Sequence, residues 1–203
     1  MEYLTTPVEI RELSSQEEID KLCEWYVADD PISVCLGLTA TEWKIVGRLW
    51  LSRCIKNGHS FVAYRNGKLI AGIICEHNKP PPELPPEARM DVVIASMDDL
   101  EKPLEKRFPP EAEVGRIVMA CTKCKYRHMG VMLDICQHLL DTHAWVKNYF
   151  VSTSSKYSYL GARSFGMKEV NRIAFKDWEY KGTRPLAGDT GERDAMYLMV
   201  MQE

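Results

Sequence analysis

The stretch FVAYRNGKLIAGIIC, residues 61–75, most constrains what this chain can fold into. Two runs rich in β-branched and aromatic residues flank Asn66-Gly67, a dipeptide that tolerates the positive φ angles of a tight hairpin turn. The rest of the chain is therefore read around an antiparallel hairpin. Upstream, VEIREL (8–13) alternates apolar and polar residues as a half-buried strand does. Ser14 or Ser15 then caps a helix whose face is Ile19, Leu22, Cys23 and Tyr26, and which stops at Asp30 because Pro31 disfavours helix for the residue before it. A second helix is predicted from Thr41 to about Ile55, with Trp43, Ile45, Val46, Leu49 and Trp50 as its apolar positions.

Beyond the hairpin, NKPPPELPPE (78–87) excludes both helix interior and central strand. ARMDVVIASMDDL reads as a helix ending near Pro103, and EVGRIVMACT as a buried strand. A helix follows with Met132, Ile135, Cys136 and Leu139 on one face. The strands WVKNYFVSTS, MKEVNRIAF and AMYLMVM, with the short helix SKYSYLGARSF between the first two, complete the order. This predicts one α/β (α+β) domain over residues 1–203. Its sheet is mixed and mostly antiparallel, with about six to seven strands, one parallel crossover and helices on both faces.

A net charge of −3 gives no global attraction to nucleic acid or to an anionic membrane. The start of the chain lacks a basic segment followed by an apolar run, so no signal peptide is expected, and no apolar stretch is long enough to span a bilayer. Seven cysteines, an odd number scattered through apolar segments, fit reduced thiols in the cytoplasm better than a disulfide framework.

The segment CTKCKYRHMGVMLDICQHLLD (121–141) offers two chemistries. Cys121 and Cys124 form a CxxC pair, but a closed zinc site needs four ligands and no second pair follows. A redox CxxC would open a helix directly, whereas here a basic segment intervenes. No metal is therefore expected, and the thiols read as buried or incidental. The alternative is an anion. Lys125 to Gly130 form a turn between strand and helix, and the first N–H groups of a helix lack intrahelical acceptors and carry the positive end of its dipole. A pyrophosphate can accept those bonds, with Gly130 allowing close approach and Arg127 adding charge.

YRHMGVM resembles the acetyl-CoA signature R/Q-x-x-G-x-G/A of the GNAT N-acetyltransferases, with Arg127 and Gly130 in place and Met132 where Gly or Ala is usual. WYVADDPIS, NGHSFVAYRNGKLIAGII and RDAMYLMVM resemble, in order and spacing, segments of the invertebrate arylalkylamine (dopamine-type) N-acetyltransferases. The resemblance implies acetyl transfer from acetyl-CoA to a small primary amine such as dopamine, tyramine, octopamine or serotonin, by direct attack through a tetrahedral intermediate. It implies a pantetheine arm along Met119, Ala120, Cys121 and Thr122, and a pyrophosphate held by the turn of Arg127, His128, Met129, Gly130, Val131 and Met132, with Ser155 close to the cofactor. The family's basic glutamate falls on Asp30. The usual leaving-group tyrosine falls on Ala162, which shifts that role to the serines, Ser154 and Ser158, with Tyr157 and Tyr159 nearby. Trp25 and Tyr26 occupy the place of paired aromatics beside an aryl ring. The alternatives are a relative acting on a polyamine, amino acid or protein amine, and a non-catalytic acyl-CoA-binding protein of the same fold.

Overall fold

The computed structural model describes residues 7–77, 82–109, 112–143, 146–188 and 194–201. Strand β1 (Glu9–Glu12) leads to helix α1 (Gln16–Asp29), which starts on a complete capping box. The Ser15 hydroxyl accepts from the Glu18 N–H, and the Glu18 carboxylate accepts in return from the Ser15 N–H at 2.9 Å. Pro31 ends α1 as expected, but it also opens a short helix, α2 (Pro31–Leu36), with Pro at the first position and Asp30 as N-cap. Helix α3 (Ala40–Leu49) is shorter than predicted: it gives way to a 3₁₀ turn, Leu51–Cys54. Leu49, expected on the apolar face, is exposed, while Trp43, Val46 and Trp50 are buried.

The hairpin forms as read, β2 (Phe61–Arg65) and β3 (Lys68–His77), with Asn66 at φ +52° and Gly67 at φ +67°. Of the proline run, residues 78–81 lie outside the described residues; Pro86–Ala88 is a 3₁₀ turn. Helix α4 (Asp91–Glu101) begins three residues later than predicted, and a four-residue helix, α5 (Leu104–Arg107), follows it unannounced by any apolar periodicity. Then come β4 (Val114–Thr122), α6 (Val131–Thr142), β5 (Asn148–Thr153), α7 (Lys156–Ser164), β6 (Lys168–Ala174) and β7 (Ala195–Met201).

The seven strands make one sheet in the order β1-β2-β3-β4-β5-β7-β6. Every neighbouring pair is antiparallel except β4 and β5, joined by the α6 crossover. One face carries α1, α3 and α4 over a core that includes Leu22, Trp43, Trp50, Leu100, Met119 and Leu198. The other carries α6 and α7 over Ile70, Ile73, Ile135, Leu139, Tyr149 and Met199. Among the described residues no helix is long and apolar enough to cross a membrane.

The parallel pair is short. β4 and β5 run in register from Val114↔Asn148 to Ile117↔Val151 and then part. β5 continues against β7 through Ser152 and Thr153, and β4 continues against β3 through Thr122. The register of β4 against β3 slips at the same place, Cys75 facing Ile117 and Ile74 facing Met119, so that Val118 is the extra residue of a bulge. Val118 and Met119 consequently pack on the same face.

Gly115, just before the parting, is required by packing. A Cβ there would lie 2.4 Å and 2.5 Å from two ring carbons of the buried Tyr149. Gly115→Ala is expected to destabilise the fold by about 1–3 kcal/mol through overpacking. Urea unfolding of the two proteins measures this, and equal midpoints would show that the ring moves freely.

Candidate active site

Where β4 leaves β5, the backbone of Met119–Thr122 has, among the described residues, a strand partner on the β3 side only. The chain then makes a 3₁₀ turn, Cys124–Tyr126, anchored by the buried Tyr126 ring. His128 at φ +62° and Gly130 at φ +77° bend it into α6. Gly130 is the N-cap of α6, no side chain caps the helix, and the space around a Cβ at Gly130 is open. The first N–H groups of α6 thus lack a side-chain cap and begin beside open space, as an anion site requires. Across it stands the start of α7, where the exposed Tyr157 ring lies 5.9 Å from that of His128.

Arg127 does not point freely into this space. Its guanidinium holds both carboxylate oxygens of Asp29, the last residue of α1, and its Nε donates to the Thr122 carbonyl at 3.2 Å. The Asp29 bond raises the Arg127 pKa further. Asp29 carried no role in the sequence reading; only the fold brings it to Arg127.

Met119 is buried against the α1 side, and Ala120 packs on the α6 side. The Cys121 thiol lies 3.6 Å from the Leu22 carbonyl, and burial pushes its pKa up, so it is no thiolate. Cys124 is exposed. Val131 is buried, and Met129 and Met132 pack partly against the same core. Among the described residues no group of three or more His, Cys, Asp or Glu is placed to hold a metal.

On the α1 face of the parting lies a cavity of about 40 Å³. Tyr26, Trp43, Trp50 and Met97 are among its apolar walls, and Asp30, Ser154, Ser152, Glu101 and Arg116 among its polar ones. Asp30 is buried and fully engaged. Its Oδ2 accepts from the Ser33 N–H at 2.8 Å and the Ser33 hydroxyl at 2.6 Å, and its Oδ1 accepts from the Ser154 hydroxyl at 2.6 Å. Trp43 Nε1 donates to Ser33 Oγ at 2.9 Å behind it. Burial, and then the Asp30 charge, push the Tyr26 phenol well above its ordinary pKa and keep it protonated.

The fold brings Asp30 and Ser154 together, while Ser158 bonds to Ser155 within the first turn of α7. Ser155 caps α7, accepting from the Ser158 N–H at 3.1 Å, and the Ser158 hydroxyl donates to the Ser155 carbonyl at 3.0 Å. Tyr26 meets Trp43 edge to face at 4.7 Å and reaches the cavity. Trp25 instead packs beneath Lys123, whose Nζ is 5.5 Å from the ring centre. Sequence reasoning missed Ser33, although Asp-Pro-x-Ser is a helix-start pattern. It also missed Glu101, Arg116 and Ser152, which no local motif marks.

No family model and no curated protein sequence matches the chain. Solved structures do. The C-terminal condensation domain of Ebony, in complex with beta-alanyl-dopamine, superposes with a TM-score of 0.82 at 16% identity, over 98% of this chain and 100% of that one. Arylalkylamine N-acetyltransferase 2 from Aedes aegypti gives 0.80 at 12% identity, over 96% and 98%. The polyamine N-acetyltransferase of Drosophila melanogaster, which forms N-acetylagmatine, gives 0.76 at 13% identity, over 97% and 100%. The chain has the fold of the GNAT N-acetyltransferases, and within it resembles insect arylalkylamine N-acetyltransferases in structure.

The Asp30 geometry makes a stability prediction. Asp30→Ala removes the α2 cap and strands the Ser33 and Ser154 donors, for an expected loss of about 1–2 kcal/mol. Asp30→Asn should lose less, because its amide oxygen still accepts from Ser33 and the Ser154 hydroxyl can rotate to accept. Denaturant unfolding ranks the two; equal losses would mean that the asparagine keeps none of the Asp30 bonds, and no loss in Asp30→Ala that the cap contributes nothing.

Proposed function

We propose that the chain is an acetyl-CoA-dependent N-acetyltransferase acting on a small primary amine, with arylalkylamines as the leading class. The observation that carries this reading is the parting of β4 from β5 beside an uncapped α6 and an open Gly130. It supplies backbone groups without a β5 partner for an extended amide-bearing arm, followed along the chain by the uncapped N–H groups of α6 and open space at Gly130 for a pyrophosphate. Met119–Thr122 would hold the arm, and the N–H groups from His128 to Met132 the phosphates. When bound, the co-substrate supplies an activated acetyl thioester.

The chain's own residues orient the amine and take its proton. The backbone N–H groups of β4 beyond Ile117 are placed to stabilise a developing oxyanion, and no covalent enzyme intermediate is required. The cavity is small beside the roughly 300–1,000 Å³ of typical ligand pockets. Met90, Met97 and Met196 among its walls are unbranched and can move aside for a ring, with Tyr26, Trp43 and Trp50 as stacking partners. Arg127, tied to Asp29, positions the turn and adds positive charge rather than reaching out as a free fork.

Two measurements test the reading. CoA at 100 times its dissociation constant should stabilise the fold by about 2.7 kcal/mol. Arg127→Glu, which sets a like charge beside Asp29, should weaken that response at a cost of at most ~1 kcal/mol to the free protein, since the pair is partly exposed. Free-thiol release with a panel of amines should then show turnover, fastest with arylalkylamines. A CoA response without turnover on any amine would leave a binding protein. Faster turnover of polyamines, amino acids or peptides would move the substrate class.

A further inference from the structure

Two carboxylates border the cavity, and each accepts from a serine of the β5 segment, Ser152 within the strand and Ser154 just past its end. Ser154 donates to Asp30 at 2.6 Å, and Ser152 donates to Glu101 at 2.7 Å. Two residues apart, both serines line the cavity. Their carboxylates are not equivalent. Both Asp30 oxygens already accept bonds, three in all from Ser33 and Ser154. At Glu101, the bonds from Arg116 (3.0 Å) and Ser152 both end on Oε1, and among the described residues Oε2 accepts none.

Position favours Glu101 as well. Ser152 is the first β5 residue past the last β4 partner, so Glu101 reaches the point where the strands separate. Arg116 lies two residues before the Val118 bulge, and its guanidinium sits over the Trp50 and Phe150 rings, 5.3 and 5.7 Å from their centres. This holds the pair rigidly against the apolar wall.

We propose that Glu101 is the residue that takes the proton from the amine, with Arg116 and Ser152 as its positioning residues and Asp30 as a carboxylate that holds α2 to β5. The proposal rests on the acyl-transfer reading above. The arriving ammonium gives one proton to Glu101 Oε2 and becomes the free amine. Its nitrogen lone pair then forms the C–N bond at the thioester carbonyl carbon. As the C–S bond breaks, the second nitrogen proton passes to the departing thiolate, leaving amide, CoA thiol and a protonated Glu101 that returns its proton to water. Burial pushes the Glu101 carboxyl up against the pull of Arg116 and Ser152, and Asp98 on its own helix adds to the rise. The charged groups around it are therefore Arg116, Asp98 and the cavity's Asp30. Because the charged form accepts the proton, activity falls as pH drops through a pKa above the ordinary carboxylate range.

The test compares wild type, Glu101→Gln, Glu101→Asp and Asp30→Asn by kcat, KM and CoA-induced thermal shift across pH. Glu101→Gln can still accept from Arg116 and Ser152, and is expected to bind CoA normally while losing about 10²–10⁴-fold in kcat. That loss should shrink for a weakly basic amine already neutral at pH 7, such as trifluoroethylamine, which a folding defect would not produce. If Glu101→Gln shows no cooperative melt, Glu101→Asp decides, expected folded with kcat at least tenfold down. In the free protein, ¹³C NMR of the Glu101 carboxyl should show a titration shifted up from that of an ordinary glutamate. Wild-type kcat in Glu101→Gln, or in a folded Glu101→Asp, overturns the proposal. So does loss of the acidic limb in Asp30→Asn with its retention in Glu101→Gln. Turnover of no amine by the wild type overturns this and the acyl-transfer reading together.

Discussion

The short parallel pairing of β4 with β5 is the constraint on which the rest of this structure depends. Four residue pairs join the strands, and the bulge at Val118 turns β4 away. Unpaired backbone groups in a protein interior are costly unless something satisfies them. A sheet that opens in its middle, rather than at an edge, therefore needs a reason. Here the opening is framed on one face by the uncapped start of α6, and on the other by a cavity with two carboxylates. An extended ligand with amide groups and an anionic end would complete the hydrogen bonding that the strands forgo.

The end of α1 braces both arms of the opening. Asp29 holds Arg127 in the turn that follows β4, and Asp30 holds Ser154 at the end of β5. Two acidic residues at a helix C-terminus oppose the helix dipole, and α1 has no basic residue in its last turn to offset them. Their stabilisation comes from elsewhere: from Arg127, from the Ser33 N–H at the start of α2, and from the serine hydroxyls. A local preference is overridden because tertiary partners outweigh it, a pattern typical of functional sites. Glu101 repeats it, as a carboxylate at the end of α4 carried into a largely apolar layer and matched there by Arg116.

Much of the fold was legible because its signals are local. The Asn66-Gly67 turn, a serine cap before α1, the stripe of α6 and the strand–turn–helix around Gly130 each follow from a few neighbouring residues. The misreadings have local causes too. Pro31 by itself reads as a helix stop, but with Asp30 before it and Ser33 after it the same segment also makes a helix start. Helix α3 was extended to Ile55 because Trp50 and Leu51 keep an apolar pattern that the chain follows as a 3₁₀ turn. The serine cluster 154–158 looked like one functional group, but its members divide between a cap at the start of α7 and a bond to Asp30 that spans 124 positions.

The sequence by itself determined the order of the seven strands and of the five longer helices, the glycine turn before α6 and the likeness to an acetyltransferase, because turn chemistry, capping and hydrophobic period act over a few residues. Only the tertiary structure decided which polar groups meet. Asp29 and Arg127 are 98 positions apart, and Ser152 and Glu101 are 51 apart. It is the sheet order, with the α6 crossover placing β5 beside β4, that brings these groups to one opening. Pairings of that separation leave no periodic trace in the chain, since each partner's own neighbours are compatible with solvent as well as with burial.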